Sequence, residues 1–358
     1  MAMIESVTIR RFELPLQTPY KLAFGLVKHF DTLVVEIKDS DQRTGLGEAT
    51  ILNGYTDETV DGSWAKFQSF ARMLPGKTLD DACRLLEPFW SEHPFTVTAF
   101  TSAIEMAEKK EPFFNLQRAA MVPILGVLNA REEADIAAEL DQLFLRGFKT
   151  IKVKVGFDPK EDLTQVRLVQ KYLGQRGSIR LDGNQGFTRD QALAFVKALE
   201  PEGIELLEQP CHADDWDSAV IVARASPVPM MLDESIYGEA DIHRAATLGC
   251  ATYIKLKLMK LGGMERLSAA LKLIKSLGMK PVLGNGVASD VGCWMESLVA
   301  RLEITNAGEM NGFLKPRLSL LQSPLKFANG CVVLEPDFNP EVSAEVIQAF
   351  QVDTKEFS

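Results

Sequence analysis

The chain has 358 residues and carries 49 acidic against 39 basic side chains, a net charge of −10, with 46% hydrophobic and 25% charged residues. That is an ordinary globular composition, and it leaves about 100 residues beyond the roughly 250 of a typical α/β barrel. No basic run supports nucleic-acid binding, and no apolar stretch approaches the ~18 residues of a membrane-spanning helix.

The first sixteen residues, MAMIESVTIRRFELPL, alternate like a strand and contain no apolar signal core. Five scattered cysteines (Cys83, Cys211, Cys250, Cys293, Cys331) form no CxxC pair. An odd count in a long chain favours reduced thiols, so a cytoplasmic protein is expected.

Residues 4–16 and 31–39 read as strands from their β-branched content and alternation. The intervening TPYKLAFGLVKHF, with one glycine and mixed polarity, suits a mobile loop. GLGEA (45–49) reads as a glycine-punctuated turn or strand, and from Glu58 to about Ala107 the pattern turns helical. Strands followed by helices suggest a separate α+β unit, placed at 1–118.

From Met121 the texture changes to strict alternation. Strand candidates are VPILGVL (122–128), TIKVKVG (150–156), SIRLDGN (178–184), IELLEQP (204–210), PMMLDES (229–235), TYIKLKL (252–258), KPVLGN (280–285) and EITNAGEM (303–310). Amphipathic helical segments such as 132–147 and 263–278 lie between them. Near-continuous apolar strands fit a parallel sheet buried on both faces. The expected fold is a (β/α)7β TIM-like barrel over 119–319. A tail over 320–358 would return to the first unit. A doubly wound sheet should show a glycine-rich phosphate turn after its first strand, and VLNAREEAD has none.

Five charged residues close successive strands: Lys154, Asp182, Glu208, Asp233 and Lys257, separated by 28, 26, 25 and 24 residues. The carboxyl ends of barrel strands are where such folds build active sites. Three carboxylates in a low-dielectric site need a cation to stay ionised, and an all-oxygen set suits Mg²⁺ or Mn²⁺. Three acids capping the following helices are the competing reading. Asn184, two residues past Asp182, could support the site. Lys152 and Lys154 share one face of a strand, as do Lys255 and Lys257. Lys152 and Lys255 read equally as site groups or as structural ion-pair lysines. A divalent ion between two amines suits proton abstraction beside a carboxylate, provided a lysine pKa falls below its usual ~10.4.

At this point the residues resemble the enolase superfamily, and within it the muconate-lactonizing subgroup. The resemblance rests on GLGEA, IKVKVG, LDGNQG, LLEQP, LDES and IKLKLMKLGG, in order across most of the chain. Enolase-superfamily sites are a standard example of lysine or histidine bases beside one or two Mg²⁺ ions, so that part of the expectation is inherited. The resemblance implies Asp182, Glu208 and Asp233 as Mg²⁺ ligands, with Asn184 and Glu234 in support. It implies Lys154 and Lys257 as the acid/base pair, with Lys152 tuning Lys154. It makes 1–118 a capping domain whose loop at 19–29 closes over substrate. Lys21, Lys28 and His29 there could meet a distal carboxylate, though solvated loop charges read more simply. Dipeptide epimerases carry Asp-x-Asp on the eighth strand, where this chain has Gly308-Glu309-Met310. Glu309 resembles the glutamate of muconate cycloisomerases. Asn285 is expected to touch substrate, and Asp290 lies near the mouth without an assigned role. Cys211-His212 reads as rim or plain loop.

The resulting expectation is a Mg²⁺-dependent racemase or epimerase of a small, amino-acid-like carboxylate, working as a homo-oligomer. Muconate-type cycloisomerisation and o-succinylbenzoate-synthase-type elimination share its first half-reaction. A Schiff-base aldolase would need one lysine and no metal, and a non-catalytic barrel would lack a ligand or lysine.

Overall fold

The computed structural model describes residues 2–22, 25–52 and 57–358, the side chains of 20–22 and 25–26 excepted. The chain opens with β1 (Ile4–Leu22), β2 (Gly25–Asp39) and β3 (Thr44–Ile51), then α1 (Val60–Met73), α2 (Leu79–Leu86) and α3 (Pro94–Ala107). β4 (Ala120–Pro123) and β5 (Gly126–Leu128) follow. Six strand–helix steps continue: α4 (Glu133–Leu145) and β6 (Thr150–Lys154), α5 (Pro159–Leu173) and β7 (Ser178–Asp182), α6 (Arg189–Ala198) and β8 (Ile204–Glu208). Then come α7 (Trp216–Ala225) and β9 (Met230–Leu232), α8 (Glu239–Leu248) and β10 (Tyr253–Leu256), α9 (Leu258–Leu261), α10 (Met264–Ser276) and β11 (Lys280–Leu283). α11 (Asp290–Glu303), β12 (Lys326–Ala328), β13 (Cys331–Leu334), α12 (Ala344–Phe350) and β14 (Gln351–Phe357) complete the chain.

β5 through β11 form one parallel sheet in sequence order. The predicted eighth strand, 303–310, is not a continuous ladder. Glu303 ends α11, and only Gly308 and Glu309 bridge the sheet's two edges. Gly308 donates to Pro123 and its carbonyl accepts from Leu125, while Glu309 donates to Leu283. Those bonds close the barrel into (β/α)7β. The predicted first strand is split for a related reason: β4 turns away to pair with β13, and β5 joins the barrel.

Alternation sorts the barrel side chains. Ile151, Val153, Ile179, Leu181, Leu207 and Ile254 face the helices in the large core. Leu206, Met231, Tyr253 and Val282 form a separate apolar plug inside the barrel. One residue pair further along, the inward positions become Lys152, Lys154, Asp182, Glu208, Asp233, Lys255 and Lys257. The plug is therefore the floor of the charged site.

The first unit is a four-stranded sheet, β14-β1-β2-β3, backed by α1 to α3. Pairing of β14 with β1 brings the tail back onto it. The segment read as a loop is largely strand. β1 and β2 pair in register from Ile4↔Asp39 out to Leu22↔Gly25, with a break between Pro15 and Tyr20. Thr18, Pro19 and Lys28 are exposed there, and the mixed polarity reads as loop. Lys21 lies outside the described side chains. The glycines of GLGEA have a steric cause: a Cβ at Gly45 or Gly47 would overlap the carbonyl oxygen of Ala103 or Ala99 on α3.

Candidate active site

The strand-end acids do not cap helices. The caps of α6 and α7 are Thr188 and Asp215, and α8 begins after Gly238. Asp182, Glu208 and Asp233 are 1%, 1% and 2% exposed and stand inside the barrel mouth. Residues of the neighbouring motifs hold two of them in place. Asn184 donates its backbone N–H to Asp182 Oδ1 at 3.0 Å and its side-chain amide to Glu234 Oε1 at 3.1 Å. Gln209, of LLEQP, accepts from the N–H groups of Asp233 (3.1 Å) and Ser235 (3.3 Å) and donates to Ser235 Oγ at 2.8 Å. It thereby ties the fourth motif to the fifth. Asn184 (φ 39°), Gln185 (φ 64°) and Gln209 (φ 35°) all adopt left-handed backbone, held there by these bonds.

Lysines run between the acids. Lys152 Nζ lies 2.9 Å from Asp182, 3.2 Å from Glu208 and 3.0 Å from Glu309. Lys255 Nζ lies 2.9 Å from Glu208, 3.3 Å from Asp233 and in contact with Glu309. Lys257 pairs with Asp233 at 2.7 Å, and Lys260 lies 3.7 Å from it. Burial opposes charge on Lys152 and Lys255, yet the surrounding carboxylates outweigh it and raise both well above the usual lysine value. Burial would lift Asp233, but Lys257, Lys255 and Lys260 hold it well below the carboxylate range. Glu208 is pushed up to about 8 by burial and by Asp182. Lys154 is lowered, first by burial and then by Lys152, against the pull of Asp182. That is the direction a general base needs. β6 and β10 stand four strands apart around the eight-membered barrel, so Lys154 and Lys257 rise from opposite walls.

Between them is a cavity of about 530 Å³, lined by Lys154, Lys257, Asp182, Asp233, Glu234, Asn184, Tyr237, Asn285 and Glu309 among others, with Glu208 behind the lining residues. Asp233 Oδ1 and Glu234 Oε2 are buried there without a hydrogen-bond partner, and Asp182 Oδ2 faces the Lys152 ammonium at 2.9 Å. Unsatisfied buried carboxylate oxygens are costly, and an all-oxygen donor set of this kind fits a hard divalent cation. The belt is not drawn together around one point, because Lys152 and Lys255 stand between its members. Among the described residues, the ligand atoms that do lie within 4.8 Å of one another belong to Glu13, His29 and Asp31, outside this cavity.

Several sequence expectations find other surroundings. His29 pairs with Asp31 at 3.3 Å on the hairpin and is not among the cavity-lining residues. Glu309 lines the cavity but is engaged by Lys152 and Lys255. The Asn285 amide donates to Val287 and accepts from it, both at 2.9 Å, shaping the loop that forms one wall. Asp290 is buried and holds the tail through Ser319 Oγ (2.8 Å) and Leu320 N–H (3.0 Å). Cys211 is buried, while His212 is an exposed neighbour of Asp214. Sequence reasoning passed over Lys260, Tyr237 and Gln209; the second lysine of KLMK was the available signal for the first.

The capping unit locks the Lys257 loop. Thr98 Oγ donates to Met259 O (3.1 Å) and accepts from Gly262 N–H (2.9 Å). Glu105 accepts from Met264 and Glu265 N–H at 2.7 and 2.9 Å, capping α10 from another element. Glu48, of GLGEA, accepts from Ser289 N–H at 2.7 Å at the start of α11.

A family model described as Enolase C-terminal domain-like matches residues 135–340, more than half of the chain. The chain belongs to the enolase superfamily. Among its relatives in that superfamily is a hydrophobic dipeptide epimerase of Citrifermentans bemidjiense, 31% identical over 290 residues, which are 75% of this chain and 78% of that protein. An N-succinyl-L-Arg/Lys racemase of Bacillus cereus is 26% identical over 342 residues, 90% of this chain and 88% of the relative. The structure of a muconate lactonizing enzyme from Pseudomonas fluorescens, complexed with muconolactone, superposes with a TM-score of 0.88 at 26% identity, covering 98% of this chain and 99% of that one. These enolase-superfamily relatives span the capping unit and the barrel alike, so the similarity includes both walls of the cavity.

Proposed function

We propose that the protein is a divalent-cation-dependent racemase or epimerase that moves the proton α to the carboxylate of an amino-acid derivative. The observation that carries this reading is the placement of Lys154 and Lys257 on opposite walls of one buried cavity above a carboxylate belt. Asp182, Glu208 and Asp233 would hold Mg²⁺ or Mn²⁺, with Asn184 and Glu234 orienting the belt. The bound cation would neutralise the belt and draw negative charge off the substrate carboxylate as its α-proton leaves.

The chain's own residues do the rest. Lys154, its pKa lowered by burial, takes the proton from one face, and Lys257, paired with Asp233, returns one to the other face. Lys152 and Lys255, both raised well above the usual lysine value, hold Glu309 ionised in the dry barrel.

Relatives named as epimerases and racemases support this direction. The muconate lactonizing neighbours, together with Glu309, favour cycloisomerisation as the second reading. Five free cysteines support a reducing, cytoplasmic setting, and homo-oligomerisation is part of the proposal. No helix among the described residues is long and apolar enough to cross a membrane. The test is optical rotation of N-acyl amino acids, dipeptides and muconates incubated with enzyme and Mg²⁺. Inversion of an amino-acid derivative is the expected result. Lactone formation from muconate with no inversion would favour the second reading instead.

A further inference from the structure

The two lysines that face each other across the cavity are not held alike. Lys154 is the last residue of β6 and pairs in the ladder with Asp182 on β7. Lys257 lies one residue beyond β10, whose pairing with β11 ends at Leu256↔Leu283. It is the cap residue at the start of α9, a single turn of four residues. The first N–H groups of a helix have no partner within it, and an oxygen on the cap residue's side chain ordinarily accepts from one of them. A lysine side chain has only donors, and this one turns into the barrel to meet Asp233 at 2.7 Å.

Another element supplies the acceptor. Glu296, fully buried on α11, accepts from Leu258 N–H through Oε1 at 2.9 Å, and Leu258 directly follows Lys257. Among the described residues, Glu296 Oε2 has no hydrogen-bond partner. Burial pushes this carboxyl up to about 8, against the Leu258 bond and the nearby Lys257, while Glu48 adds to the rise. Burying such a group is costly, and its hydrogen bond goes to the backbone that aims Lys257. The far end of α9 is fixed from the capping unit. Trp90 Nε1 donates to Lys260 O at 3.0 Å, and Thr98 holds Met259 O and Gly262 N–H. With that end held, the Glu296 bond fixes where the turn begins, and so the direction in which the Lys257 side chain leaves the backbone.

We propose that Glu296 is a positioning residue for Lys257, capping α9 in the lysine's place so that the lysine side chain can serve one face of the substrate α-carbon. Glu296 is not among the residues that line the cavity, so it acts through Lys257. The role rests on the proposed racemase or epimerase reading, and its effect is one-sided. Loss of the cap disturbs the proton transfer carried out by Lys257 and spares the one carried out by Lys154.

The test uses Glu296→Met, which keeps the side-chain volume and removes the acceptor, and Glu296→Gln, which keeps an acceptor for Leu258 N–H. Exchange of the α-proton in D2O with Mg²⁺ is followed for each enantiomer of a set of N-acyl amino acids. Lys257→Ala identifies the enantiomer that Lys257 deprotonates, as the one it no longer exchanges. Glu296→Met should slow exchange of that enantiomer at least about tenfold, through kcat with KM within about twofold, as for a displaced reacting group. The opposite enantiomer should exchange within about twofold of the wild-type rate in the same preparation, and Glu296→Gln should restore the first to within about threefold. Equal slowing of both enantiomers by Glu296→Met would make the cap a support of the whole site and overturn the assignment to Lys257. Unchanged exchange of both, or no recovery in Glu296→Gln, would overturn it as well. Wild-type protein that exchanges neither enantiomer of any compound contradicts the proposed reaction itself, and this role falls with it.

Discussion

At the scale of single residues, most of the site was legible because a barrel repeats. One charged group every 24 to 28 residues marks the strand ends, whatever lies between. What the spacing could not show is which charges engage one another. Lys152 and Lys255 read equally as site groups or structural lysines, and they are inserted between the acids. Glu309, matched to substrate, lines the cavity and is held there by those two ammoniums. Both facts depend on side-chain reach across the barrel, which a linear pattern does not encode. Asp182, with one oxygen bonded to Asn184 and the other against the Lys152 ammonium, gives a prediction at this scale. Asp182→Asn should weaken Mg²⁺ binding at least tenfold by calorimetry, because the amide removes one charge and offers one acceptor fewer. Unchanged affinity would remove Asp182 from the ligand set.

Among elements, the links between the capping unit and the barrel were invisible in sequence, since each joins groups some 160 to 240 residues apart. GLGEA read as a turn or strand; its glycines admit α3, and its glutamate reaches α11. Gly47→Ala should cost at least about 3 kcal/mol, because the new methyl meets backbone with no rotamer to yield. A melting temperature within a degree or two of wild type would contradict that packing. The α10 cap makes a pH prediction. Burial raises Glu105 from its ordinary 4.5 to about 7. A raised acid favours the folded state while protonated, so its contribution is fully present below about 4.5 and is lost as pH rises through about 7. At about 1.4 kcal/mol per pH unit, the loss is at most roughly 3 kcal/mol. Urea melts at pH 5 and 7.5 should show a smaller decline for Glu105→Gln than for wild type. Parallel declines would mean that Glu105 does not titrate in this range. The hairpin was misread for a reason that also belongs to this scale: with Thr18, Pro19 and Lys28 exposed, it lacks the period-two signal that marks a strand.

For the molecule as a whole, the two units make one enclosure. The barrel supplies the charged floor and both lysines, while the capping unit fixes the loop after Lys257 and roofs a second cavity, beside Lys154, with Thr18 and Pro19. The (β/α)7β order was readable from alternation and spacing. Closure through Gly308 and Glu309 was not, because two residues of ladder leave no periodic trace. The account stands on two bases serving opposite faces of one carbon, and this is measured by α-proton exchange in D2O with each enantiomer of a turned-over substrate. Lys154→Ala and Lys257→Ala should each abolish racemisation, while each still exchanges the α-proton of one enantiomer, the opposite one in the two variants. If both variants exchange the same enantiomer, or either still racemises at the wild-type rate, the two-lysine assignment is wrong.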